Sequence, residues 1–155
     1  MLQAFTRLVT GRQMGRIDHR AIEGGIPGSK LMQTAGEGVF KVLESVVAGL
    51  IGRRITILCG KGNNGGDGFV VGTLAHQEGA EVSIFLFAGL DQIKGDARHH
   101  LEETIQHGLS VNEIRTQSEF EGVTRALSEA DVVIDALLGT GLKGSPTGNI
   151  ATAID

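Results

Sequence analysis

Apolar positions along this chain fall into two patterns, a recurrence every three to four residues and short continuous runs, and together they define its elements. Met14, Ile17, Ala21 and Ile22 recur at helical spacing and predict a short amphipathic helix over 13–23. Gly24-Gly25-Ile26-Pro27-Gly28 breaks it, and Ser29 is a suitable N-cap for a second helix. Leu31, Ala35, Val39, Val42, Val46 and Leu50 continue a broad apolar stripe, predicting a long helix that ends near Gly49 or Gly52. The β-branched run 55–59, stopped by Gly60, predicts a buried strand. After a glycine-rich loop, Phe69, Val70, Leu74 and Ala75 predict a helix to Gly79, and 82–87 a second buried strand. Ala97, Leu101 and Ile105 put another helix before Gly108, and 109–114 reads as a weaker strand. Ser118 with Glu121 has capping-box spacing ahead of Phe120, Val123 and Leu127, which predicts one more helix. The run 131–138 is the last strand, with a second glycine-rich loop after it.

Two helices and then alternating strands and helices predict an α/β fold, a mainly parallel sheet covered on both faces. Ligands of such sheets bind beyond the carboxyl ends of the strands. Both glycine-rich loops come directly after strands, so both are expected on one rim.

Composition narrows the class. The chain has 155 residues, enough for one domain, with 14 Lys+Arg against 18 Asp+Glu and a net charge of −4. That balance argues against a nucleic-acid-coating protein. Aromatic stacking has little raw material, since Trp and Tyr are absent. A single cysteine excludes an internal disulfide framework. The five histidines show neither HExxH nor CxxC spacing, which counts against a Cys/His zinc site. No apolar run is long enough to span a bilayer and the N-terminus lacks a signal-peptide core, so a cytoplasmic location without membrane contact is expected. Glycine is the outlier: 24 residues, about twice the usual fraction of roughly 7%, scattered as in tight turns and close backbone approaches.

Two segments carry candidate chemistry. The first is Gly60-Lys61-Gly62-Asn63-Asn64-Gly65-Gly66-Asp67-Gly68. Glycines there let successive N–H groups converge, and the next helix adds its positive end, a cradle suited to phosphate. It is neither a P-loop nor a dinucleotide GxGxxG in its standard setting. On spacing alone it reads also as a tight turn with Asn63 and Asp67 capping the helix. The second is the run 132–145, in which Asp135 interrupts an apolar strand. A carboxylate there is costly unless paired, hydrogen-bonded or bound to a cation. A structural Asp accepting N–H bonds from a nearby loop satisfies the same condition. Lys143 is placed either to meet a phosphate or as a solvated surface residue. Cys59 reads as a small buried hydrophobe, His99 and His100 as solvated, Met14 and Met32 as packing, and Asp18 with His19 as a local polar pair.

In combination, Asn63-Asn64-Gly65-Gly66-Asp67-Gly68 after a strand, Lys94-Gly95-Asp96-Ala97, and Asp135-Ala136-Leu137-Leu138-Gly139-Thr140-Gly141 resemble the YjeF N-terminal-domain family, the NAD(P)H-hydrate epimerases. Ile26-Pro27-Gly28, Leu31-Met32 and Ala35-Gly36 resemble the family's N-terminal helix pair. The resemblance implies a Rossmann-like three-layer α/β/α sandwich, usually a homodimer. It implies an isomerase that interconverts the R and S forms of hydrated NADH and NADPH, damage products carrying a hydroxyl at C6 of the nicotinamide ring. By position, Asn63, Asn64, Gly65, Gly66 and Asp67 would contact the hydrated nucleotide. Gly139, Thr140, Gly141, Leu142, Lys143, Gly144 and Ser145 would form the second wall. Asn64 and Asp135 would give oxygens to one potassium ion, which would also explain a carboxylate within the strand. A fused or separate NAD(P)H-hydrate dehydratase is the implied partner.

The family continues into a further strand ending in an Asp-Ile-Pro-Ser-Gly-like segment, whose Asp is its candidate acid/base and whose Ser completes the potassium site. No such segment occurs here, and Asp155 stands in a helical context. The expectation is therefore a single domain over 1–155, incomplete at its C-terminus, without the later strands and with its catalytic residue unassigned. Two other readings stand beside it. Some relatives use the fold in lipoprotein-binding proteins or RNA-decay scaffolds, and nucleotide binding without turnover would select such a module. An unrelated dehydrogenase is disfavoured by the first loop, and hydride transfer would be its mark.

Overall fold

The computed structural model describes residues 9–141 and 144–154. Its elements in chain order are helices α1 (Gly11–Glu23) and α2 (Gly28–Val46), strand β1 (Arg54–Cys59), α3 (Asn63–Gln77), β2 (Glu81–Leu86), α4 (Gly95–Gln106), β3 (Val111–Glu113), α5 (Phe120–Glu129), β4 (Val132–Ala136) and α6 (Gly148–Ile154). The strands form one four-stranded parallel sheet in the order β3-β2-β1-β4. β1 is central, and its residues after Arg54 are all buried, which suits a β-branched run with partners on both sides. Ile55 is in register with Val82 and Val132, and Cys59 with Leu86 and Ala136.

The sheet separates two apolar clusters, so the chain is the expected α/β/α sandwich. One cluster joins Ile55, Ile57, Cys59, Ile84 and Leu86 to α2, α3 and α4 through Phe40, Phe69 and Leu101. The other joins Leu58 and Phe85 to Val123 of α5, with Ile150 and Ala153 of α6 packed alongside. Thr56 on that second face donates its hydroxyl to the Ala126 carbonyl at 3.2 Å, tying α5 to the sheet. No helix among the described residues is long and apolar enough to cross a membrane.

The strands and α1 differ from expectation by one or two residues at their ends, and three differences go further. α2 is capped by Pro27, not Ser29, and stops at Val46. The capping box before α5 pairs Thr116 with Glu119, not Ser118 with Glu121, because a short 3-10 turn over 117–119 leads into the helix. Most consequential, α3 begins at Asn63, so Asn-Asn-Gly-Gly-Asp-Gly is helix and not loop.

The glycines of α3 face the sheet. A Cβ on Gly68 would stand 2.8 Å from Ala136 Cβ and 2.9 Å from Cys59 Sγ, and one on Gly65 would strike the Gly60 carbonyl. Gly68→Ala therefore overpacks a site with side chains on both sides. The expected loss is about 1–3 kcal/mol in urea-induced unfolding, with the native fold kept. Unchanged stability would show that α3 can lift from the sheet at no cost.

Candidate functional site

The parallel pairing of β1 with β4 sets the site. Both strands end at the same edge of the sheet, where Gly60 N–H donates to the Ala136 carbonyl at 3.0 Å. A Cβ on Gly60 would strike the Leu137 carbonyl, so the two exit loops touch along their backbones. Asn64, in the first turn of α3, donates its side-chain amide to the Leu138 carbonyl at 3.0 Å, and Gly139 packs against the same side chain. The two glycine-rich segments thus meet on one rim.

α3 starts at that rim without a side-chain cap, Gly62 being its N-cap. Its first intrahelical donor here is Gly66 N–H, onto Gly62 O at 3.2 Å. The N–H groups of Asn63, Asn64 and Gly65 precede that bond and form the positive end of the helix. This answers the reading of Asn63 and Asp67 as caps: both lie inside the helix.

On the other side of Asn63, α1 and α2 enclose a cavity of about 440 Å³ with Met14, Asp18, Leu31, Asn63, Asp67 and Asp96 in its lining. α1 reaches from there to the second loop, since a Cβ on Gly11 would lie 3.1 Å from Thr140 Cβ. Gly65 is buried against the Gly60 backbone and Gly66 against Met32 and Ala97, so they have only backbone to offer. Thr140, Gly141, Gly144 and Ser145 are exposed, while Leu142 and Lys143 lie outside the described residues.

Asp67 is the perturbed carboxylate of the site. Burial pushes it up to about 6, nearby Asp18 adds to the rise, and His100 opposes it. Asp18 therefore acts towards the cavity, and His19 pairs instead with Glu23 at 3.2 Å. Asp135 differs from expectation, because its side chain is exposed and not enclosed in the sheet. β4 is an edge strand among the described residues, and its alternation turns Val133 and Asp135 away from the face that meets α3. Its Oδ1 accepts the Leu137 N–H at 2.9 Å, holding the start of the second loop.

The donor set fits a hard monovalent cation in kind. Asn64 commits its amide nitrogen and keeps its side-chain oxygen, and Asp135 keeps Oδ2 free of hydrogen bonds among the described residues. Cys59 is fully buried, and that burial pushes its thiol far up, so it is packing as expected. His100 is not solvated: it is 4% exposed, on the same stripe as Ala97, Leu101 and Thr104.

The model of the YjeF-related protein N-terminus family matches residues 28–155. The chain belongs to that family. As a YjeF-related chain it is 43% identical over 150 residues to the bifunctional NAD(P)H-hydrate repair enzyme Nnr of Moorella thermoacetica. That match covers 96% of this chain and 28% of the relative. It is 32% identical to the NAD(P)H-hydrate epimerase of Rhodopirellula baltica, covering 95% of this chain and 58% of that one. The chain thus spans less than two thirds of either relative. The crystal structure of yeast ynu0 superposes with a TM-score of 0.75 at 18% identity, over 96% of this chain and 63% of that one, and shares its fold.

A raised carboxylate means that the folded YjeF-related chain holds a proton the unfolded chain has released. Between about pH 4 and pH 6 the Asp67 contribution to stability therefore falls as pH rises, and it stays low above that window. Asp67→Asn is expected to raise stability at pH 7.5 by about 1–2 kcal/mol, discounted for the water still reaching the group. The gain should vanish below pH 4 in a series of thermal melts. A gain independent of pH would assign the effect to something other than ionisation.

Proposed function

We propose that this chain carries the epimerase segment of a nicotinamide-cofactor repair enzyme, acting on the R and S forms of hydrated NADH and NADPH. The observation that carries this reading is the Asn64 to Leu138 bond, which joins the start of α3 to the β4 loop on one rim. The names of the similar proteins supply the substrate class.

In this reading the nucleotide's phosphates sit against the N–H groups of Asn63, Asn64 and Gly65 and the helix end behind them. Its hydrated ring lies between Asn63, Asp67 and the second glycine-rich segment at Gly139, Thr140 and Gly141. The chemistry needs the C6–O bond to break, with the ring-nitrogen lone pair forming an iminium and the hydroxyl leaving as water. Water then adds to the opposite face and gives up a proton, so the proton lent at the first step is recovered at the second. Asp67, pushed up to about 6 beside this cavity, is the described group suited to lend and recover it.

Asn64 and Asp135 would hold one potassium ion, which supplies fixed positive charge that orients the nucleotide. The remaining positioning is by backbone and glycine loop. A cytoplasmic homodimer, with a dehydratase fused or separate, completes the proposal.

The test tracks the R:S ratio of hydrated NADPH by chromatography after one epimer is enriched. With protein in potassium buffer, equilibration should outpace the spontaneous rate. Asp67→Asn should slow it by about 10²-fold or more, and exchanging potassium for a bulky organic cation should slow it too. Relaxation at the spontaneous rate while the nucleotide still binds would replace this reading with that of a binding module.

A further inference from the structure

A second cavity, of about 330 Å³, lies between α2, α3 and α4, and no step proposed above uses it. Ser29, Lys30 and Gln33 face it, whereas Gly28, Leu31 and Ala35 face the nucleotide-side cavity. The first turns of α2 therefore stand between the two.

One turn of α4 brings His99, His100 and Glu103 to its lining, with ligand atoms all within 4.8 Å of one another. His99 Nε2 is 3.5 Å from one Glu103 oxygen, and His100 Nδ1 is 2.7 Å from the other. The buried ring has its orientation fixed from behind. His100 Nε2 lies 2.9 Å from the Ser29 carbonyl, which can only accept, so Nε2 is the donor. Nδ1 is then the nitrogen left to take a cation, and it meets the Glu103 carboxylate across a shared proton or a shared metal ion. Anchoring of the far N–H to a backbone carbonyl is the arrangement that orients metal-binding histidines, and here the near nitrogen faces a second potential ligand, the Glu103 carboxylate.

We propose that His99 Nε2, His100 Nδ1 and the Glu103 carboxylate bind one divalent transition-metal ion of the zinc class, with the remaining coordination position open to the cavity. Two imidazoles and a carboxylate suit zinc in donor type. The 2.7 Å gap is closed for a proton and must widen to admit metal bonds of about 2.0–2.2 Å on each side. Glu103 at 43% and His99 at 55% side-chain exposure have room for that adjustment, while His100 stays fixed. His107 lines the same cavity one turn beyond Glu103 and offers a further imidazole. Lys30 shares the lining and its charge opposes the ion, which limits the affinity without blocking the three donors. The spacing is His-His-x-x-Glu, which a search for HExxH or CxxC does not catch.

Untagged protein is titrated with Zn²⁺ by calorimetry in a non-chelating buffer with excess potassium, and with Co²⁺ monitored by its visible absorption. One saturable ion per chain is expected, with a ligand-field spectrum of low-coordinate cobalt. Affinity should fall at least about tenfold in His99→Ala and in Glu103→Gln. His99 is exposed, so His99→Ala should leave circular dichroism and melting as in the parent, while in Glu103→Gln the amide oxygen can still accept from His100 Nδ1 and the circular dichroism should be retained. His19→Ala, which removes the exposed His19–Glu23 pair of α1, is the control and should leave binding unchanged. The proposal is overturned by the absence of saturable binding. It is equally overturned if affinity survives the combined His99→Ala/Glu103→Gln change, or drops with His19→Ala instead.

Discussion

The arrangement depends on how closely α3 lies on the sheet. Gly65 meets the Gly60 carbonyl, Gly68 meets Ala136 and Cys59, and Gly72 meets Ile57 and Ile84, so one face of the helix has no side chain to hold it away. Each glycine inside a helix costs about 1 kcal/mol relative to alanine. Tight contact with buried β1 and β4 residues offsets that cost, and it also fixes the helix lengthwise. The N-terminus of α3 is carried to the carboxyl end of β1, where Asn64 reaches the β4 loop. Packing and site are the same constraint seen at two ends of one helix.

The same contact explains what the sequence conceals. Strands β1 and β2 are legible because a central parallel strand is buried on both faces and reads as a continuous apolar run. α4 is legible from Ala97, Leu101 and Ile105, although Ile105 proves exposed while Thr104 is buried in its place. The start of α3 is not legible. Asn-Asn-Gly-Gly-Asp-Gly has poor helix propensity throughout, and only the neighbouring strands make helix the better choice, which local pattern cannot express. Parallel order and a shared rim come from element order alone. Which side chains meet there depends on contacts such as Asn64 with Leu138, between residues far apart in the chain.

The two carboxylates singled out from sequence exchange roles for a topological reason. Asp135 interrupts an apolar run, which suggests an enclosed charge. β4 is an edge strand among the described residues, however, and the second position of its pleat faces water there. Asp67 sits among glycines and reads from sequence as a loop residue, a helix cap or, by the resemblance, a nucleotide contact, with nothing to signal its burial. On a helix pressed to the sheet it is turned instead into the space between α1, α2 and α3, and it carries the desolvation expected of Asp135. Burial of a charge is a property of the element's neighbours more than of the residues beside it in sequence.

His100 shows the opposite case, a buried residue whose position in the sequence already signals its burial. It stands three residues after Ala97, on the apolar stripe itself. A buried imidazole needs both nitrogens satisfied. The Ser29 carbonyl of α2 meets one and Glu103 the other. The ring therefore links α2 to α4 at the turn that also separates the two cavities. Its charge opposes the rise of Asp67 on the far side of that turn. Positive charge on that ring acts on Asp67 through space, against the rise that burial causes.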